Sequence, residues 1–548
     1  MSHILSAAGV LLAVAAAGAA ILAPPGRLRS AAMLVAIALV PVLILGDQWH
    51  SHRIVDLRAH PARLIALGVV GLALAAALAA VFRRWPAALP LAVIAALPFR
   101  IPLESGGETA NLLVPLYLVI AAGVVAAATR GSRVPRVGGG GDRVLADDSA
   151  PPPNPMGVPG RRPANGGHLA WLPRILAAVV VLYGLQVMYS ADFSKGLQDV
   201  CFFYLPFAVA YGLLSEFSWD RKLLTRVLWV VAIEAVLFVV VGSVEYLTRG
   251  LFWNHQVIRS NEFHTYFRVN SVFWDPNIYG RYLALAIVVA MATLLWVRER
   301  RSFLLLTGLL AALWIGLAPT FSQSSFAALL VGLAVLAALR WSLKWTAAVV
   351  GLGALGAVLV VLLVGGGGKI NVNRLNIDTS GRAHLVSGGI RLFEQRPLYG
   401  YGSGSFSTAY RDHAVKHRVP VSVSHTEPVT IAAEQGAIGL VLYAALLITA
   451  LWTMTTGLRP SLAKLSVPSL GDGGQARIEE SPEGGAPHPP PKPALRQLAI
   501  GRAAILAAFT ALIIHTMAYA GFYEDPITWV LLAVGASLAA SARVRSAS

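Results

Sequence analysis

Long apolar runs separated by short polar breaks set the pattern of this chain. Runs at 4–24, 31–46, 61–82, 111–129, 171–189, 199–216, 223–247, 276–297, 302–317, 323–340, 344–364, 428–455, 497–520 and 526–542 have the length and composition of membrane-crossing helices, set against a hydrocarbon core of roughly 30 Å. A further run at 86–98 is shorter and carries Pro86, Pro90 and Pro98, which suits a re-entrant segment. The pattern predicts an all-α fold: a polytopic transmembrane helical bundle of about 13–15 spans. The first run has no early basic stretch and no clear small-residue cleavage site, so it reads as a retained span and not as a signal peptide.

Three segments interrupt the pattern. Residues 131–168 and 457–495 are rich in Gly and Pro and poor in apolar positions, so they cannot bury a core and are expected to be flexible cytoplasmic linkers. They divide the chain into N-terminal transmembrane helices (1–130), a central transmembrane core (169–456) and C-terminal helices (496–548). The third interruption, 365–427, is a large polar loop between two late spans, dense in Arg, His and Gly. Ionisable groups are costly beside hydrocarbon, so such a cluster at a membrane marks a functional site by default.

Composition agrees with the pattern. Hydrophobic residues make up 56% of the 548 positions and charged residues 13%, against about 25% charged in soluble domains. Cys201 stands alone inside a span, which excludes an internal disulfide and a cysteine zinc site. The net charge of +17 suggests nucleic acid until its distribution is considered. Arg27 and Arg29, Arg83 and Arg84, Arg130 with Arg133 and Arg136, Arg221 with Lys222, Arg298 with Arg300 and Arg301, Arg340 with Lys344, and Arg543 with Arg545 fall in alternate short loops. Under the positive-inside rule these loops are cytoplasmic. The loops 47–60, 99–110, 190–198, 248–275 and 365–427 are then extracytoplasmic. The charge is a topology signal, and no nucleic-acid partner is expected.

The polar loop holds three chemical features. Arg374, Arg382, Arg391, Arg396, Arg411, Lys416 and Arg418 lie where the positive-inside rule disfavours cations. A guanidinium keeps its charge when partly dehydrated and presents a planar fork to phosphate oxygens. Most of these cations read as solvated faces, or as partners of Glu394 and Asp412; Arg382 is the one singled out. Gly400, Gly402 and Gly404, in PLYGYGSGSF, suit either close backbone approach to an anion or a tight turn, and the turn is the simpler reading. His425 stands at the mouth of the span that starts near residue 428, with Glu434 about two turns inside it. A histidine at that boundary can take a proton from an acceptor hydroxyl.

The segments SGRAHLVSGGIRLFEQRPLYGYGSGSF, His425 before a helix, and AEQGAIGLVLY together resemble the O-antigen ligase and O-antigen polymerase superfamily of bacterial membrane glycan transferases. Upstream, FRVNSVFWDPNIYGRYLALAI and PTFSQSSFAALLVGL resemble further parts of the family pattern, so the similarity spans roughly residues 180–455. The resemblance implies a glycosyl transferase of the cytoplasmic (inner) membrane with its active site on the extracytoplasmic side. It would move a glycan from a polyprenyl-diphosphate carrier to the hydroxyl of a lipid or glycan acceptor, with inversion and without nucleotide sugar, metal or other cofactor. Arg268 and Arg382 would hold the donor diphosphate, with Arg281 as a further cation, and His425 would serve as base or acceptor-positioning group. Glu427, two residues on, is a second candidate base, and Glu434 would orient or polarise a neighbour.

The chain departs from the family pattern in three places. It has Ser322-Gln323 where Ser-Arg is common, which loses a cation, and Thr426 follows His425 where Asn is common. Its N-terminal spans and two linkers also exceed the usual core. Other polar groupings lie outside the motif: Asp47, His50, His52, Asp56 and His60 in one loop; His255, Glu262 and His264 near Arg268; and His515, Tyr519, Glu524 and Asp525 late in the chain. The competing class is a membrane transporter of a small anion or solute. That reading expects polar residues near the midplane on broken helices, whereas here they gather at the extracytoplasmic mouth.

Overall fold

A computed structural model describes residues 3–49, 51, 55, 59–105, 108–130, 170–252, 257–258, 261–262, 266–348, 351–352, 382–414, 424–466 and 493–547. Both proposed linkers, the 344–364 run and much of the 365–427 loop fall largely or wholly outside the described residues. Within them the chain is a multi-pass helical bundle. In order come α1 (His3–Leu22), α2 (Arg27–Asp47), α3 (Pro61–Arg84), α4 (Ala88–Ala96), α5 (Val114–Arg130), α6 (Trp171–Val187), α7 (Phe193–Leu214) and α8 (Arg221–Thr248). They are followed by α9 (Pro276–Leu294), α10 (Arg300–Leu317), α11 (Gln323–Arg340), α12 (Arg382–Gln395), α13 (Glu427–Thr455), α14 (Leu458–Ser466), α15 (Pro493–Thr516) and α16 (Pro526–Ala547).

Ten of the described helices are long and apolar enough to cross a membrane, and two shorter apolar helices accompany them at Val114–Thr129 and Trp171–Val187. The 24-residue α3 is a further long helix. The expected run at 86–98 forms α4, nine residues long; at 1.5 Å per residue that covers only about half of a bilayer core. One departure from an all-helical chain follows it. Ile101–Ser105 and Glu108–Leu112 pair as antiparallel strands in the register Ile101↔Leu112, where a plain loop was expected.

Side-chain caps set several helix starts. Asp192 accepts from the Lys195 N–H at the head of α7, Asp220 from Leu223 at α8, Asp275 from Asn277 at α9 and Ser322 from Ser325 at α11. Each supplies an acceptor to an N–H that has no partner within its helix. Lipid cannot satisfy a freed backbone group, so breaks inside helices need protein partners. Pro206 in α7 cannot donate to the carbonyl of Phe202, and the helix widens into a π turn at Val200–Tyr204. The Tyr117 hydroxyl of α5 donates to that carbonyl at 2.9 Å.

The bundle also has a buried polar tie at the start of α2. Arg29 is 2% exposed; its Nε donates to the Ala20 carbonyl at 2.8 Å, its Nη2 to Ser215 Oγ at 2.9 Å, and its Nη1 lies 3.3 Å from Glu216. One guanidinium therefore joins α1, α2 and the end of α7. Arg29→Ala removes the buried cation together with its bonds to the Ala20 carbonyl and Ser215 Oγ, a loss of about 1–3 kcal/mol. A clear fall in the unfolding temperature of the detergent-solubilised protein is expected.

Candidate functional site

The glycine series and α13 form a single unit. Helix α13 is broken at Gly436 (φ 65°, ψ −163°), which frees carbonyls just before the break. The Tyr401 N–H donates to the Ala433 carbonyl at 3.1 Å, the Gly402 N–H to that of Glu434 at 2.8 Å, and Gln186 Nε2 to that of Gln435 at 3.2 Å. Beyond the break, the Ala437 N–H donates back to Pro397 at 2.7 Å. The Glu434 carboxylate, buried in the bundle, accepts from the Gly404 N–H with Oε2 and from the Phe406 N–H with Oε1, both at 2.9 Å. Gly400, Gly402 and Gly404 all have positive φ, and a Cβ on Gly400 would stand 2.3 Å from the Glu434 carbonyl oxygen. The series makes a tight turn whose backbone closes on the carboxyl group of Glu434. Both oxygens of Glu434 are thereby taken up by backbone N–H groups, so the side chain anchors the loop to α13.

Glu427 has a similar duty. Its Oε2 accepts from the N–H groups of Gly521 at 2.7 Å and Phe522 at 3.0 Å, fixing the segment between α15 and α16 against the start of α13. The carboxylate is buried. As a base it would have to give up these bonds, so Glu427 too is better described as an anchor.

His425 lies just ahead of α13 in the left-handed region, with φ 64°, a conformation that costs a non-glycine residue of order 1 kcal/mol. Ser424 holds the turn: its Oγ donates to the Thr426 carbonyl at 2.7 Å, lies 2.8 Å from Thr430 Oγ1 and accepts from the Thr426 N–H at 3.2 Å. The His425 ring sits 6.4 Å from that of Tyr519, which is 5.8 Å from the ring of His515. Burial, helped by the nearby Arg382 charge, pushes the His425 imidazole below its ordinary proton affinity, and Asp275 acts against this.

Arg382 opens α12, with Nη1 3.5 Å from the Ala518 carbonyl. Arg268 comes from the segment before α9. Its Nε donates to the Thr320 carbonyl at 2.9 Å, its Nη2 to Asn277 Oδ1 at 3.2 Å, and Asn261 brackets its backbone. Burial and the neighbouring Arg382 both press the Arg268 guanidinium toward losing its proton, and Asp275 opposes them. The helix start with Gln323 in place of a cation lies behind: Ser322 Oγ is 2.9 Å from Asn277 Oδ1, and Ser324 Oγ is 3.2 Å from His515 Nε2. Gln323 itself is exposed.

Tyr519 is the centre of the arrangement. It lies within electrostatic reach of Asp275, Arg281, Arg100 and Arg268, and burial raises its phenol well above the ordinary value. The structure thus brings together Arg382, Arg268 and His425. Arg281 is buried with its guanidinium 2.7 Å from the Asp525 carboxylate. Arg391, Arg396 and Arg411 are exposed, with Arg396 stacked 4.4 Å over Tyr401. Arg374, Lys416, Arg418, His50, His52, Asp56, His255 and His264 lie outside the described residues. Arg100, which belongs to no motif, was missed; its signal was a cation in a loop whose expected side disfavours cations.

The fold and the gathered residues define a multi-pass membrane protein with a polar, strongly basic site where several helix ends meet. Residues 308–444 match the O-antigen ligase family model, which supports a role as a membrane glycan ligase or polymerase. The match takes in Arg382, the glycine series, His425, Glu427 and Glu434. No curated protein matches the chain.

The anchoring role of Glu434 has a direct check. Glu434→Ala strands two buried N–H donors, at about 1–3 kcal/mol each, and Glu434→Gln offers one acceptor and one donor to the same pair. Unfolding temperatures should fall in the order wild type, Glu434→Gln, Glu434→Ala. Equal values for all three would contradict the clamp.

Proposed function

We propose that the protein is a glycosyl transferase of the O-antigen ligase type. It moves a glycan from a polyprenyl-diphosphate carrier to an acceptor hydroxyl at the extracytoplasmic face of the bacterial inner membrane. The observation that carries this reading is the meeting of Arg382, Arg268 and His425 around Tyr519, from three separate parts of the chain. Two guanidiniums suit a diphosphate, and a histidine with weakened proton affinity is neutral near pH 7 and ready to act as a base.

In the proposed step, His425 takes the proton of the acceptor hydroxyl and the freed oxygen attacks the anomeric carbon. The bond from that carbon to the diphosphate oxygen breaks, and the electron pair leaves with the polyprenyl diphosphate. Arg268 and Arg382 neutralise the charge that grows on that leaving group, an electrostatic contribution that is largest in a partly dry site. Glu427 and Glu434 act through the segments they anchor, and Arg281 acts through its pair with Asp525.

His425→Ala and Arg382→Ala are expected to abolish transfer while leaving membrane insertion intact, as read by surface glycan on gels and by the membrane fraction. Transfer retained in His425→Ala would remove the base assignment. In a strain deleted for the protein, long glycan held on the carrier indicates a ligase and single repeat units indicate a polymerase. An unchanged profile contradicts both.

The pH dependence has a definite sign. A base must be neutral, and both burial and Arg382 disfavour the imidazolium. The acid limb of kcat/KM should therefore fall below the usual histidine value of about 6.5. In Arg382→Gln the residual activity should show that limb displaced upward, toward the ordinary value. A limb unmoved by the substitution would separate His425 from the catalytic proton.

A further inference from the structure

Arg100 is the basic residue near the site that the proposed step leaves unused. It follows α4, is partly buried, and makes no hydrogen bond or ion pair among the described residues. Its electrostatic neighbours are Asp525, Arg281, Tyr519 and Tyr117. Asp525 is the one carboxylate among them and is already committed, lying 2.7 Å from Arg281 while its Oδ1 accepts the Ile527 N–H at 2.9 Å. Two guanidiniums thus share a single carboxylate, and the Nε of Arg281, a residue 3% exposed, has no hydrogen-bond partner among the described residues. An unmatched cation in a weakly hydrated place is expensive, which calls for an anion beyond those that the described residues supply.

An apolar cleft of ≈ 160 Å³ is lined by residues close in the chain to this cluster. Leu97, three positions before Arg100, lines it, as do Tyr282, next to Arg281, and Ile527, two positions after Asp525. On α9 the lining continues from Tyr282 to Thr293, about 17 Å of helix at 1.5 Å per residue. Three separate elements therefore pass directly from an apolar channel to an anion-deficient group of guanidiniums. That combination matches an amphiphile with an anionic head and a hydrocarbon chain. It fits a free anion poorly, since a free anion has no use for the cleft.

We propose that Arg100 is a third guanidinium on the donor's diphosphate, together with Arg268 and Arg382, and that the adjoining cleft holds the first part of its prenyl chain. This rests on the transferase reading. It also gives a physical answer to the missing cation at Gln323: the positive charge comes from the N-terminal helices, outside the segment that matches the family, and reaches the site through the fold. Arg281 and Asp525 form the floor on which Arg100 and the head group sit.

The test measures binding of inorganic pyrophosphate and of farnesyl diphosphate to the full chain in detergent, by ligand-dependent shift of the unfolding temperature. Wild type is expected to bind both, and farnesyl diphosphate more tightly. Arg100→Gln should weaken both by tenfold or more, while its unfolding temperature without ligand holds or rises because an unmatched charge has gone. Arg100→Lys keeps the charge without the fork and should fall between. Ala504→Phe, which fills the cleft from α15, should weaken farnesyl diphosphate and leave pyrophosphate unchanged.

Unaltered binding in Arg100→Gln and Arg100→Lys, with binding lost in Arg382→Gln, overturns the inference and leaves the transferase reading standing. A ligand-free Arg100→Gln that unfolds at markedly lower temperature makes Arg100 structural and also overturns it. Pyrophosphate bound as tightly as farnesyl diphosphate by wild type, with Ala504→Phe without effect, overturns the cleft assignment and points to a free anion. Failure of wild type to bind either compound counts against the lipid-diphosphate donor itself.

Discussion

The carboxylate of Glu434 sets the geometry of the whole site. A helix broken inside a membrane exposes carbonyls that lipid cannot satisfy, and a buried carboxylate without donors is more costly still. In this protein the two needs are met by one loop. Tyr401 and Gly402 donate to the carbonyls before the break at Gly436, and Gly404 and Phe406 donate to the carboxylate. The turn works because the glycines reach positive φ and carry no Cβ where backbones touch. From this seat α12 and the start of α13 take their positions, and with them Arg382 and His425.

A second anchor works in the same manner at the other side of the site. Glu427 grips the backbone of Gly521 and Phe522, so the segment from Met517 to Asp525 cannot move independently of α13. That segment supplies Tyr519 to the centre and Asp525 to Arg281. The two acids which as residue types look most like catalytic groups thus act as supports. The left-handed His425 stands between them, its turn fastened by Ser424. A side chain carried on such a turn, next to two anchored segments, has little freedom to reorient.

Charge in this site follows burial and pairing more than it follows motif. Burial and the Arg382 charge lower the proton affinity of both Arg268 and His425, and Asp275 opposes them at each. Arg281, which sits in a motif-like stretch, is paired with Asp525, whereas Arg100, which sits in none, has no hydrogen bond or ion pair among the described residues. Exposed cations of α12 and the glycine loop, such as Arg391 and Arg411, contribute to surface potential and solubility but have no part in the buried cluster.

Much of this was legible in the chain as written. Lipid solubility is a local property of composition, so the apolar runs by themselves determined a multi-pass helical bundle, and the polar loop with its SGRAHLV and PLYGYGSGSF segments, followed by EQGAIGL in the next span, carried the family resemblance. His425 drew notice because it stands at the mouth of a span, and Arg382 because it is a cation in a loop whose expected side disfavours cations. The strands at Ile101–Leu112 and the shortness of α4 were less legible, since an apolar run does not declare how it ends. What the tertiary structure alone decided is which charges are spent: Glu434 on Gly404 and Phe406, Glu427 on Gly521 and Phe522, Arg281 on Asp525. Hydrogen bonds and ion pairs depend on distances of a few ångströms between residues far apart in the chain. Those distances exist only once the helices have packed.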